Sequence, residues 1–161
     1  MNFRKFRYED AGFCFETRCA AFIKAFNKEL TPDVIKACLS VYSAADYIAM
    51  SNNDEVFIAE NHWGRIGFFT IQRFDYISAE IPLIYFSLNA VRKGYGKQAM
   101  AFAEDWIRKN WPEVEKIMAQ TIIPKYNSGF YRKLGYGEQG FTINQFGDKR
   151  VRAMVLEKVL G

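Results

Sequence analysis

The spacing of hydrophobic positions changes period several times along the chain, and those changes divide it into elements. Residues 3–7 alternate Phe with Arg or Lys, which predicts a short strand with one buried face. After Tyr8-Glu9-Asp10, the apolar residues Phe15, Cys19, Phe22, Ile23 and Phe26 recur at three- and four-residue steps, predicting a helix over residues 10–26 with that stripe turned inward. Thr31-Pro32, a cap residue followed by proline at the first helical position, starts a second helical region that runs to about residue 50. The pattern allows it to break near residues 41–43. Residues 56–59 and 66–72 read as a hairpin turning at Asn61-His62-Trp63-Gly64. Residues 81–88 are nearly apolar throughout, as expected of a central strand covered on both faces, with Pro82 near its beginning.

Gly94 and Gly96 then lead directly into an amphipathic helix carrying Met100, Ala103 and Ile107 and closed by Pro112. Residues 114–123 read as a strand and residues 126–134 as a short helix stopped by Gly135. Residues 141–145 with 151–160 form a last hairpin. The order is β-α-α-β-β-β-α-β-α-β-β over a single domain, residues 1–161, without internal repeats.

Composition narrows the classes. A chain of 161 residues, half of them hydrophobic, can bury one core without staples, and 15 Phe, 9 Tyr and 3 Trp point to a core or pocket built from rings. The formal charge of +4 favours an anionic ligand but is too small to require nucleic acid. Arg4, Lys5 and Arg7 with Lys149, Arg150 and Arg152 read as solvated faces. The three cysteines, Cys14, Cys19 and Cys38, have no CxxC spacing and read as reduced thiols, neither a disulfide framework nor a zinc site. No apolar run has the length of a signal peptide or a membrane span, so the expectation is a cytoplasmic protein that engages no membrane. His62, in a hairpin turn, offers no triad, and no metal site is expected.

A glycine-rich turn between a buried strand and a helix gathers backbone N–H groups and the positive helix end at one point, where a phosphate or pyrophosphate can bind. Arg92, Lys93 and Lys97 surround that point with cations. Gly94-Tyr95-Gly96-Lys97-Gln98-Ala99 satisfies the letter of the dinucleotide fingerprint, with Glu115 as its ribose acid. That fingerprint, however, belongs at the first turn of a repeating βα unit. Here two helices and a strand meander precede it, and too little chain remains after it to build the second nucleotide-binding half.

With this order of elements, the sequence resembles the GNAT superfamily of N-acetyltransferases, whose [RQ]-x-x-G-x-[GA] turn matches Val91-Arg92-Lys93-Gly94-Tyr95-Gly96 except that Val91 stands at the Arg/Gln position. A second stretch, Phe130-Tyr131-Arg132-Lys133-Leu134-Gly135-Tyr136, resembles the family's F-Y-x-K-L-G-F one strand later. The resemblance implies a mixed α/β (α+β) fold with a mostly antiparallel central sheet of about seven strands flanked by helices. It also implies an acetyltransferase that moves the acetyl group of acetyl-coenzyme A to an amine by direct attack. On that resemblance Tyr131 would protonate the leaving thiolate, and Glu80, or alternatively Asp75, would act as base through water. Phe86, Ser87 and Leu88 would border the pantetheine and supply the oxyanion donor. Arg92, Lys93, Gly94, Tyr95, Gly96 and Lys97 would hold the pyrophosphate, with Asn127 nearby. The acceptor, a small-molecule or peptide amine, would enter between the first helices and the last hairpin, near Phe22, Phe26, Tyr42, Tyr47, Phe141 and Phe146; a homodimer is compatible with the resemblance. The reading of another class is a non-catalytic acyl-coenzyme A sensor with the same cofactor turn.

Overall fold

Strands alternating with helices pair here into one mixed, largely antiparallel sheet. The computed structural model describes residues 1–123 and 128–161. The strands are β1 (Asn2–Lys5), β2 (Glu55–Asn61), β3 (Gly64–Arg73), β4 (Ser78–Glu80), β5 (Ile84–Phe86), β6 (Lys116–Ile122), β7 (Gly137–Phe146) and β8 (Lys149–Val159). Their order across the sheet is β1-β2-β3-β4-β6-β8-β7, with β5 paired to β3. Among the described residues only β4 and β6 run parallel, because the helix between them makes the crossover. The helices are α1 (Ala11–Phe26), α2 (Pro32–Leu39), α3 (Ala44–Asn53), α4 (Tyr95–Asn110) and α5 (Ser128–Lys133).

The second helical region does break where its pattern allowed. Ser43 closes a capping box with Asp46, whose carboxylate accepts from the Ser43 N–H at 2.6 Å, so the chain restarts as α3.

Helices cover both faces, and the residues of β2 and β3 divide between them. Phe57 and Phe69 pack with Met100, Ala103 and Ile107 on the α4 side. Their neighbours Ile58 and Phe68 pack with Cys14 and Tyr47 on the side of α1 and α3. Period-two alternation with apolar residues on both faces is what two-sided burial requires.

The structure corrects two expectations. The predicted stripe of α1 does not wholly face inward: Phe22 and Phe26 are buried, whereas Phe15 and Ile23 are exposed. The enclosed face instead runs through Cys14, Thr17 and Arg18. Of residues 81–88, read as one strand, only Ile84–Phe86 form one, β5, which an interruption at residues 81–83 separates from β4. Pro82 lies in the interruption, where its missing N–H breaks the ladder. That division makes the strands eight where about seven were expected. Among the described residues no helix is long and apolar enough to cross a membrane.

Candidate active site

The interruption at Pro82 is a bulge. Between the pairs Gln72–Glu80 and Phe69–Ile84, β3 advances three residues while the opposing chain advances four. One residue is therefore extra, and a bulge of this kind bends its strand and redirects the residues beyond it. On the near side, β4 still pairs with β6, and the Ile81 N–H donates to the Met118 carbonyl at 2.9 Å. Beyond it, β5 keeps β3 as its partner and has no pairing with β6, so the sheet opens between them.

This opening leaves backbone donors aimed into space. Thr70 N–H donates to the Leu83 carbonyl at 3.0 Å, and Ser87 N–H donates to the Ile66 carbonyl at 2.8 Å. Alternate residues Leu83, Tyr85 and Ser87 thus face β3, which turns the N–H groups of Ile84 and Phe86 toward the gap. The expectation that placed Phe86, Ser87 and Leu88 together at the site is therefore divided. Phe86 borders the gap, the Ser87 N–H is already engaged, and Leu88 begins a short 3-10 helix with its side chain exposed. Gly67 makes room for this arrangement, since a Cβ there would lie 2.4 Å from Phe86 Cδ1 and 2.7 Å from the Tyr85 carbonyl oxygen.

The gap continues into a cleft of about 590 Å³ that ends at the start of α4. Gly94, the residue before the helix, is left-handed at φ 77°, and among the described residues no side chain caps the first turn. That turn contains no acidic residue but does contain Lys97, so among the described residues its N–H groups and the positive end of the helix dipole face no capping anion. Arg92, also left-handed at φ 61°, lines the same cleft with Val91, Tyr95, Gly96 and Lys97. Lys93 falls between the two left-handed residues, is exposed and does not line the cleft. Asn127 lies outside the described residues.

The second motif packs onto the first. A Cβ on Gly96 would lie 3.3 Å from Phe130 Cζ, so the glycine lets the Phe130 ring of α5 rest on the first turn of α4. The end of α5 explains its closing Leu-Gly-Tyr. Gly135, at φ 89°, donates to the Arg132 carbonyl at 3.0 Å and Tyr136 donates to the Tyr131 carbonyl at 3.0 Å, the paired bonds of a Schellman cap. Tyr136 then sits in the core, its hydroxyl donating to Glu104 at 3.3 Å, while Lys158 donates to the other Glu104 oxygen at 2.7 Å. Tyr131 faces a second cavity. Among the described residues its hydroxyl has no hydrogen-bond partner, and burial, with a smaller contribution from Tyr85, pushes its pKa up to about 12.

That second cavity, of about 520 Å³, meets the first cleft along Phe22, Phe26, Ile84 and Tyr85. Its rim holds Glu80, whose carboxylate accepts from Gln72 Nε2 at 2.8 Å and from Gln120 Nε2 at 3.4 Å. Asp75 is elsewhere, accepting from the Ile77 N–H at 2.9 Å within its own turn. Of the aromatic residues expected at the acceptor entrance, Phe22, Phe26, Tyr42 and Phe146 line this cavity. Tyr47 is instead wholly buried in the core, and Phe141 lies on the outer surface beneath Arg152.

Two lining residues escaped the sequence reading. Arg18 is a charged residue between the apolar positions of α1 and carries no signal in their spacing. Tyr85 sat unremarked inside an apolar run, and burial pushes its hydroxyl's pKa up against the opposing effect of Arg18. The other candidates are placed outside the site. His62 is exposed beside Trp63, Arg4 pairs with Asp10 and Glu60, Lys5 pairs with Glu55, and Lys149 pairs with Asp33. Among the described residues no group of three His, Cys, Asp or Glu is placed to hold a metal. The three cysteines are free, and burial pushes the Cys14 thiol up to about 12.

Comparison with known proteins bears on this geometry. A crystal structure of a GCN5-related N-acetyltransferase from Rhodopseudomonas palustris superposes with a TM-score of 0.85 at 16% identity, over 99% of this chain and 95% of that one. The PaiA N-acetyltransferase of Thermoplasma acidophilum, solved in complex with coenzyme A, gives 0.78 at 18% identity over 99% and 98%. A ribosomal-protein-alanine N-acetyltransferase from Brucella melitensis gives 0.75 at 17% identity over 99% and 100%. No curated protein sequence matches. The fold is thus that of these enzymes. The acetyltransferase (GNAT) family model matches residues 14–136, a span that holds the bulged strand, the glycine turn and the Tyr131 helix, and the chain belongs to that family.

Proposed function

We propose that the protein is an N-acetyltransferase that uses acetyl-coenzyme A as co-substrate and an amine as acceptor in a ternary complex. The observation that carries this is the uncapped, acid-free start of α4, flanked by Arg92 and Lys97, at the end of a cleft that opens into the gap between β5 and β6. An anion at that helix end satisfies donors the chain leaves free, as the pyrophosphate of coenzyme A would. The bound thioester supplies an activated acyl carbon, and the acceptor nitrogen reaches it from the neighbouring cavity.

The chain's own residues then have separate tasks. An amine enters as ammonium and gives one proton to Glu80, directly or through water, before its lone pair can attack. As the C–N bond forms, charge grows on the carbonyl oxygen, toward which the N–H groups of Ile84 or Phe86 can donate. As the C–S bond breaks, the sulfur takes the Tyr131 hydroxyl proton, and the second proton lost by the nitrogen restores that hydroxyl. The balance is one amide, one thiol and one proton released to solvent. A tyrosine near pKa 12 is a weak acid beside a thiol at its ordinary value of about 8.5. The burial that raises Tyr131 would also raise a thiol enclosed beside it, which narrows the difference where water is excluded.

A calorimetric or thermal-shift comparison of acetyl-coenzyme A with NAD and ATP tests the reading. Stabilisation by acetyl-coenzyme A and by neither nucleotide is expected, followed by thiol release when an amine is added. Absence of binding by any coenzyme A species would overturn it, and tight binding without turnover on any amine would indicate a sensor.

A further inference from the structure

Arg18 is the only fully enclosed lysine or arginine side chain among the described residues, 4% exposed, and it lines the cavity beside the cofactor cleft. Its Nη2 donates to the Cys38 carbonyl at 2.9 Å, whereas its Nε has no acceptor. The guanidinium carbon lies 5.2 Å from the centre of the Tyr42 ring and 5.8 Å from that of Phe22. Rings attract the cation weakly, but among the described residues no carboxylate pairs with it. A buried cation without an anion is held against the cost of its lost hydration. The same cavity holds Glu80, already occupied by the amides of Gln72 and Gln120. One cavity therefore presents a cation in need of an anion and a carboxylate suited to an ammonium.

We propose that the acceptor is an amino acid, its carboxylate on the Arg18 guanidinium and its nitrogen turned toward Glu80 and the gap beside β5. This rests on the acetyl-transfer reading above and specifies its substrate. A polyamine would bring a second cation against Arg18. The coenzyme's phosphates have their own site at the start of α4, in the neighbouring cleft. The cavity's volume of about 520 Å³ admits a molecule of amino-acid size, and Phe22, Phe26, Tyr42 and Phe146 give it apolar walls that favour an apolar side chain.

The test measures thiol release from acetyl-coenzyme A with α-, β- and γ-amino acids, each beside the matched amine without its carboxylate. Phenylalanine is paired with phenethylamine, β-alanine with ethylamine, and γ-aminobutyrate with propylamine. The best amino acid is expected to exceed its matched amine in kcat/KM by about a hundredfold or more, the effect of a desolvated charge pair. Arg18→Gln should collapse that ratio through KM for the amino acid while calorimetric affinity for acetyl-coenzyme A is retained. Arg18→Lys, which keeps charge but not the fork, should keep part of the ratio. Calorimetric titration of the same amino acids into the protein, with and without coenzyme A, gives a readout independent of turnover. Matched amines serving as well as amino acids would overturn the inference while leaving acetyl transfer intact. So would failure of every amino acid to bind or react. Failure of acetyl-coenzyme A to bind would overturn acetyl transfer, and amino-acid binding would still decide the Arg18 site.

Discussion

Asp10, just before α1, and Arg18, midway along it, lie about two turns apart, both enclosed and both charged, yet the chain treats them in opposite ways. Asp10 accepts from Arg4 at 2.7 and 3.0 Å, from the Arg7 N–H at 2.8 Å and from Arg65 at 3.1 Å. Burial alone would raise its pKa, but the Arg4 bonds, the Arg7 amide and Arg65 together hold it below the usual carboxylate value. Arg18 has one carbonyl, two rings and the neighbouring Tyr85 hydroxyl, none of them an anion. The same contrast recurs in the two tyrosines of the second motif, where Tyr136 is bonded to Glu104 and Tyr131 to nothing among the described residues. A polar group satisfied by its own chain holds the scaffold, whereas on the proposed function one left unsatisfied beside a cavity is available to something that enters.

That contrast can be broken by substitution. The largest effect on stability is expected at Asp10, because Asp10→Ala leaves Arg4 and Arg65 facing an empty site and should cost about 3–5 kcal/mol in a urea titration. Because its folded pKa is depressed, Asp10's contribution is present above the unfolded value of about 4 and is lost as pH falls through the folded one. The parent should therefore lose stability more steeply in acid than Asp10→Asn. A cost under about 1 kcal/mol for Asp10→Ala would remove its standing as scaffold.

Tyr131→Phe should lower kcat by about a hundred- to a thousandfold, close to 3–4 kcal/mol of barrier, with the urea midpoint and acetyl-coenzyme A affinity retained. With the hydroxyl raised to about 12, it stays protonated through the alkaline range, so kcat in the parent should show no falling limb between about pH 7 and 10. A limb near the ordinary tyrosine value would mean that the hydroxyl is not enclosed during turnover. Tyr136→Phe, by contrast, should cost about 1–2 kcal/mol of stability and leave kcat near the parent's, since it removes one bond of the Glu104 network. The smallest shift is expected for Arg18→Met. Replacing an uncompensated buried cation by an apolar chain of similar length should leave stability within about 1 kcal/mol of the parent or raise it. A loss as large as that at Asp10 would show Arg18 to be scaffold after all.

Much of this organisation was legible beforehand because it depends on short-range physics. Helix starts such as Thr31-Pro32, the glycines before α4 and the stop at Gly135 are set by local backbone preferences, and two ordered motifs sufficed to name the family. What escaped depended on partners distant in the chain. An apolar run from residue 81 to 88 carries no mark of where β6 ceases to accompany it, so the bulge and the donors it frees emerged only from the register with β3 and β6.

Arg18 is the sharper case. By itself the sequence determined most of the element order, the glycine turn before α4 and the motif around Tyr131, because each is written in the residues that form it. Only the tertiary structure decided that a polar residue of α1 would be enclosed among Cys38, Phe22 and Tyr42 while Phe15 and Ile23 faced outward. Hydrophobic periodicity assigns faces by residue type. Enclosure is decided by what packs opposite, and here an open cavity takes the place of a hydrophobic partner.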